Sequence, residues 1–296
     1  MSEQFFTLCR AAFAESETYF TPELYAHVNS DEVLTRMYKI TEKLVENAKK
    51  FNLTSILEPE EIIRKHIVDS VLPLAIMEKQ GIVAKFSQKT ADKSARKTVA
   101  DIGCGAGFPT LPMSAAAFDY FPLFFMGIDS TAKKIGHIKE SAQYSGLTNI
   151  DATVGRAEEL TAYRALSSQK KSALSSKKES AKKPKSQPKT EEKKPYFRER
   201  FDITTARAVA ALPTLLELCA PLTRVGGYFC ALKSHADEEI LAAGNAPETL
   251  GLTLRDKISY TLPGGDARVV LIYEKTAETL RKYPRRYAEI TKQPLK

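Results

Sequence analysis

The feature that most constrains this chain is an alternation that begins at Thr98. Short apolar runs, "TVADIG", "LFFMGID", "IDATVG", "FDITTA" and "GYFCALK", take turns with helical stretches, "TLPMSAAAF", "AKKIGHIKESAQYSG", "LPTLLELCAPL" and "HADEEILAAG". Continuous apolar runs of this length suit strands covered on both faces, and helical connections between them require parallel pairing through right-handed crossovers. The last two runs, "DKISYTLP" and "ARVVLIYEK", are separated only by Gly264-Gly265-Asp266. That turn is too short for a crossover, so it predicts an antiparallel hairpin. The expected fold class is α/β: a doubly wound, mostly parallel, seven-stranded sheet with a C-terminal antiparallel hairpin.

Ahead of the sheet, Val33, Met37, Ile40, Leu44, Val45 and Ala48 recur at helical spacing, and two further helical stretches, 2–15 and 59–79, flank them. Residues 1–90 therefore read as an N-terminal helical extension packed on a main domain at 91–165 and 195–275. Between them, residues 166–194 are rich in Lys, Ser, Ala and Pro and hold too few apolar anchors to offset the entropy of ordering. This stretch reads as a disordered insertion. Ten lysines against three glutamates lie between Gln169 and Lys194, so nearly all of the formal charge of +8 resides there and the remainder is close to neutral. Bulk basicity is then weak support for a nucleic-acid partner, and the location of basic groups matters more. A basic C-terminal tail occupies 276–296.

No apolar run approaches the length of a bilayer span, and the first residues lack a basic, apolar and small-residue signal pattern. The expectation is a cytoplasmic, monomeric protein without a membrane or metal partner. Cys9, Cys104, Cys219 and Cys230 are scattered with no CxxC pair, as befits reduced, packed thiols.

The chemistry begins in "VADIGCGAGFPTLP". A strand ends at Asp101 and Ile102, and the turn carries Gly103, Gly105 and Gly107 before a helix starts near Pro109. Glycines here permit positive φ and close approach of a ligand to the main chain. A dinucleotide fingerprint needs G-x-G-x-x-G, yet Phe108 or Thr110 stands where the third glycine belongs. A phosphate-binding Gly-Lys-Ser/Thr ending is absent too. What remains, acid-x-G-x-G-x-G, is the pattern of S-adenosylmethionine-dependent methyltransferases. Asp129 ends the second predicted strand, where a carboxylate accepts bonds from ribose hydroxyls, and "GRAEEL" after the third places Ala157 and Glu158 beside an adenine.

Several stretches together resemble one family, the bacterial small-subunit ribosomal RNA guanine-N7 methyltransferases (GidB or RsmG). They are "FNLTSILEPEEIIRKHIVDSVLPL", "VADIGCGAGFPTLP", "GIDSTAKKIGHIKE", "GRAEEL", "FDITTARAVAALPTLLELCAPL", "ALKSHADEEI" and the tail "RKYPRRYAEITKQPL". The first 50 residues match weakly, and Cys104 occupies a position where small or polar residues are usual. The resemblance implies a Rossmann-like methyltransferase fold and a methyl donor, S-adenosyl-L-methionine. It also implies donor contacts from Gly103, Phe108, Ala157, Glu158 and Arg207, with Asp129 on the ribose and Gly105 and Gly107 completing the loop. The implied acceptor is N7 of a guanine in 16S ribosomal RNA of the 30S subunit. Candidates to approach the RNA are His66, Lys233, Arg285 and Arg286, with Tyr283 and Tyr287 as stacking partners.

Guanine N7 carries a lone pair and no hydrogen, so no general base is expected and alignment carries the catalysis. "TARAVAAL" after the fourth strand lacks the Asn/Asp-Pro-Pro-aromatic motif of amine methylation, and Cys219 in a helix is not the Pro-Cys nucleophile of cytosine C5 chemistry. Two other readings stay open at this point: a nicotinamide oxidoreductase, resting on the glycine turn and Asp129, and a noncatalytic RNA-binding assembly factor on the same fold.

Overall fold

A computed structural model describes residues 2–85, 96–162 and 196–296, so the stretch read as an insertion, 166–194, lies outside the described residues. Seven strands form one sheet: β1 (Lys97–Ile102), β2 (Leu123–Asp129), β3 (Ile150–Val154), β4 (Phe201–Arg207), β5 (Thr223–Lys233), β6 (Leu252–Thr261) and β7 (Ala267–Lys275). Their order is β3-β2-β1-β4-β5-β7-β6. The first five run parallel, and β7 pairs antiparallel with both β5 and β6. The expected mostly parallel sheet with its terminal hairpin is what forms. Strand order reverses between β1 and β4, which opens a crevice at their carboxyl ends, the usual ligand position of such sheets.

One face of the sheet is covered by α6 (Thr110–Ala117) and α7 (Ala132–Ser145), over which the N-terminal helices α1 (Ser2–Ala14), α2 (Pro22–Val28) and α3 (Asp31–Ala48) form a further layer. Ser30 caps α3 by accepting the N–H of Val33, and the stripe Val33, Met37, Ile40 and Leu44 is buried; Val45 and Ala48 lie at its half-buried margin. Residues of these helices and of β1, β2 and β4 share one continuous core, so the N-terminal layer is packed into the sheet domain. The other face carries α8 (Ala157–Thr161), α9 (Leu212–Cys219), α10 (Asp237–Ala243), α11 (Ala246–Thr249) and α12 (Tyr287–Lys292). No pattern foretold α2, α11 or α12, because each is under two turns and its burial is decided by tertiary contacts.

One helix matters beyond packing. α4 (Pro59–Ile62) runs through a π-helical turn (Ile63–Val68) into α5 (Asp69–Lys79). Pro73 has no N–H to give the Asp69 carbonyl four residues back, and the wider π turn holds His66 and ends just before Asp69. Among the described residues, no helix is long and apolar enough to cross a membrane.

Candidate active site

The glycine turn after β1 adopts positive φ at Gly103 (67°), Gly105 (55°) and Gly107 (88°). A Cβ on Gly103 would sit 2.6 Å from a Val209 methyl, and one on Gly107 would strike Leu111 at 2.4 Å. Gly105 instead donates its N–H to Asp129 Oδ2 at 3.1 Å, while Asp129 Oδ1 accepts from Thr131 N at 2.8 Å. Cys104, out of character for the turn, is explained by Gly127 of β2: a Cβ there would meet the Cys104 sulfur at 3.0 Å, so thiol and glycine fit each other. Asp101 lies fully enclosed beneath the loop, accepting from Thr110 and Thr205 hydroxyls. Burial pushes its carboxyl up to about 6, against those hydrogen bonds and the Arg207 charge, which pull it down.

Next to this turn is a cavity of about 380 Å³ at the carboxyl ends of β1 to β4. Gly103, Asp129, Ala157 and Glu158 line it, together with Lys134, Val209 and Tyr287. Burial raises the Glu158 carboxyl, and the Arg156 guanidinium, 3.9 Å away, only partly opposes that. An open face of glycine backbone, a carboxylate after β2 and a half-buried acid after β3 fit a nucleoside carrying a ribose and an adenine.

A second cavity, about 520 Å³, shares Ala208 with the first and is lined by Lys65, His66, Asp69, Arg207, Lys233, His235, Glu239, Tyr260 and Arg268 among others. Asp69 is its hub. Oδ2 accepts from Arg207 Nη1 at 3.0 Å, and Oδ1 accepts from Arg268 Nε at 3.1 Å and the Tyr260 hydroxyl at 3.4 Å. His66 stacks on Phe108 with ring centroids 4.4 Å apart and planes 12° from parallel, and its Nε2 pairs with the Thr54 hydroxyl at 3.0 Å. Burial, then the Arg207 charge, pushes the imidazole down to about 4, so it is neutral at physiological pH. The two cavities thus meet where β4 ends, one rimmed by backbone and acids, the other by cations around one carboxylate.

The family model of rRNA small subunit methyltransferase G (GidB) matches residues 34–193. The ribosomal RNA small subunit methyltransferase G of Streptococcus gordonii is 36% identical over 255 residues, covering 86% of this chain and 88% of that protein. That of Streptococcus pneumoniae serotype 19F is 35% identical over 267 residues, covering 90% and 93%. The chain belongs to the GidB family. With that membership the nicotinamide reading of the glycine turn lapses.

Within this GidB chain the structure redistributes several residues singled out from the sequence. Gly103, Asp129, Ala157 and Glu158 line the first cavity, and Gly105 and Gly107 shape its loop from beneath. Of the other residues expected on the donor, Phe108 stacks on His66 and Arg207 pairs with Asp69, which places both beside residues of the second cavity. His66 and Lys233 do line the second cavity, but Lys233 Nζ is held by Glu239 (2.7 Å) and the Ala210 carbonyl (2.8 Å). Arg285 is tied down. Its backbone N and Nε donate to Glu217 Oε1 at 2.8 and 2.9 Å and its Nη2 to Oε2 at 2.6 Å, and Glu217 is fully buried in α9, so this arginine fastens the tail. Arg286 is exposed at the start of α12 and lines neither cavity. Sequence reasoning missed Asp69, Tyr260 and Arg268. Asp69 lay in the quoted "KHIVDS", and the short Gly-Gly-Asp turn fixes a register in which Tyr260 and Arg268 are direct cross-strand partners.

Proposed function

We propose that this chain transfers the methyl group of S-adenosylmethionine to N7 of a guanine in 16S ribosomal RNA. The observation that carries the reading is the meeting of the two cavities at Ala208, a nucleoside-shaped one and a cationic one, in a chain of the GidB family. Asp129 would hold the ribose of the donor, and Ala157 and Glu158 its adenine; when bound, the donor supplies an electrophilic sulfonium methyl. Arg207 and Arg268 share a single carboxylate and so leave net positive charge in the acceptor cavity, suited to RNA phosphate. Neutral His66 on Phe108 adds a flat surface for a base. No proton leaves guanine N7, so the chain's work is to hold nucleophile and methyl carbon about 3 to 3.5 Å apart and in line with the leaving sulfur. Cys219 is fully buried in α9 and its thiol is pushed well up by burial, which removes it as a nucleophile. The acceptor in this reading is the 30S subunit, met in the cytoplasm by a monomer.

The test is incubation of the full chain with labelled methyl donor and 30S subunits from cells lacking the enzyme, with free 16S RNA alongside. Label at one guanine N7, located by cleavage at the alkylated base, is the expected result. No label on either substrate would refute the reading, and label on free RNA alone would remove the subunit as the preferred acceptor.

A further inference from the structure

The C-terminal segment after β7, whose basic and tyrosine residues point to RNA when read as sequence, is fastened down on the donor side of the molecule. Arg198 donates to the Thr279, Leu280 and Tyr283 carbonyls at 2.5, 3.2 and 2.8 Å. Arg285 grips the buried Glu217 carboxylate, and Ile290 of α12 is fully buried. These ties bring Tyr287, the first residue of α12, to the wall of the cavity that holds Asp129, Ala157 and Glu158. Among the described residues lining that cavity, Tyr287 is the one aromatic. Its neighbour is Arg156, whose guanidinium lies 6.0 Å from the ring centroid and which directly precedes Ala157, so the ring stands at the adenine end.

We propose that the C-terminal segment is part of the methyl-donor site, with Tyr287 as the aromatic wall that covers the adenine of the donor. The inference rests on the donor reading given under Proposed function and adds a segment from the far end of the chain to it. Tyr287 is 38% exposed, so part of the ring is open to a ligand. A flat purine face placed against an aromatic ring gains stacking and excludes water from both. The buried Arg285–Glu217 pair supplies the rigidity: breaking it leaves an uncompensated charge, so Tyr287 is held in place before any ligand arrives.

The experiment is calorimetric titration of S-adenosylmethionine and of adenosine into the full chain, as wild type, Tyr287→Phe and Tyr287→Ala. Tyr287→Ala is expected to raise both dissociation constants by the same factor, about five- to tenfold, and Tyr287→Phe to restore them. In turnover assays the donor KM should rise in step while the RNA KM stays put. Equal donor affinity in Tyr287→Ala, or a rise in RNA KM without one in donor KM, would overturn the proposal and return the tail to the RNA. A wild-type chain that bound neither ligand would defeat the donor reading itself, and this inference with it.

Discussion

The cavity proposed for the donor and the cavity proposed for the acceptor, called the donor and acceptor sides below, touch at Ala208 yet are built by different means. The donor side is main-chain architecture: three glycines at positive φ, an Asp129 carboxylate pinned by two N–H groups, and loops that follow β1, β2, β3 and β4. The ion pair on its rim, Arg156 with Glu158, is loose at 3.9 Å. On the acceptor side the charged side chains are tied to one another, Arg207 and Arg268 to Asp69 and Lys233 to Glu239, across elements from α5 to β7. A small ligand with fixed chemistry can be held by backbone geometry that one loop supplies. An RNA surface needs charge, and charge at a partly buried site has to be paired and aimed in advance.

The sharpest way to break this contrast is to remove its hub. Asp69→Ala leaves the Arg207 and Arg268 guanidiniums, each less than a fifth exposed, near one another without their counter-ion. The expected loss is about 3–5 kcal/mol of unfolding free energy, read as a lower urea midpoint at unchanged slope. Arg207→Ala should cost stability less, about 1–2 kcal/mol, because Asp69 keeps Arg268 and the Tyr260 hydroxyl. Its larger effect should fall on turnover, roughly 100-fold, through misplaced acceptor geometry. Equal stability losses in the two variants would show that the cluster is not organised by the carboxylate.

The same contrast explains what could be read from the sequence. The sheet was legible because most of its strands are apolar runs bounded by turn residues, and the glycine loop because Asp101, Gly103, Gly105 and Gly107 fall at alternate positions within seven residues. Asp129 followed as the last residue of the next strand, and Glu158 from the short stretch that follows the strand after it. The second cavity was only partly legible: His66, Arg207 and Lys233 were singled out but Asp69, Tyr260 and Arg268 were not, since the six are scattered over some 200 positions and meet only through topology. His66 lies in a π turn and Asp69 directly after it, an irregularity that no periodicity announces. The tie of Arg285 was hidden for a related reason: a basic residue in a basic tail looks solvated until the buried Glu217 opposite it is known.

If the donor side rests on backbone conformation, one methyl group should damage it. Gly103→Ala places a side chain at a φ of 67° and within 2.6 Å of a Val209 methyl, and Val209 itself lines the donor cavity. The strain should lower stability by about 1–2 kcal/mol. Displacement of Val209 into the cavity should weaken donor binding about tenfold, a further 1.4 kcal/mol. Adding Val209→Ala should recover part of the affinity but none of the strain, because the φ is unchanged. Calorimetry against S-adenosylmethionine checks this, and an unaltered dissociation constant in Gly103→Ala would mean that the loop tolerates side chains and the contrast is overdrawn.

The smallest effect concerns a contact between the two sides, the His66 ring on Phe108 of the glycine loop. His66 is pushed down to about 4 in the folded chain against 6.5 for the free side chain, by burial first and the Arg207 charge second. Between those values the unfolded chain binds the extra proton, so the stability contributed by the neutral ring is full above pH 6.5 and is lost as pH falls toward about 4. His137, also lowered to about 4, acts with the same sign. Asp101, raised to about 6, acts oppositely: its contribution is full below 3.8 and is lost as pH rises through 6. Both persist in His66→Phe, which keeps a ring over Phe108 while removing the titration at 66 and the hydrogen bond to the Thr54 hydroxyl, so the slopes with pH are compared and not the absolute stabilities. The urea-derived stability of His66→Phe should therefore fall less than that of wild type between pH 7.5 and 5, by about 1 kcal/mol once the ring's partial exposure is allowed for. Parallel pH profiles for the two proteins would show that the stack carries no proton-linked energy, and that the donor loop and the acceptor cavity are joined by shape alone.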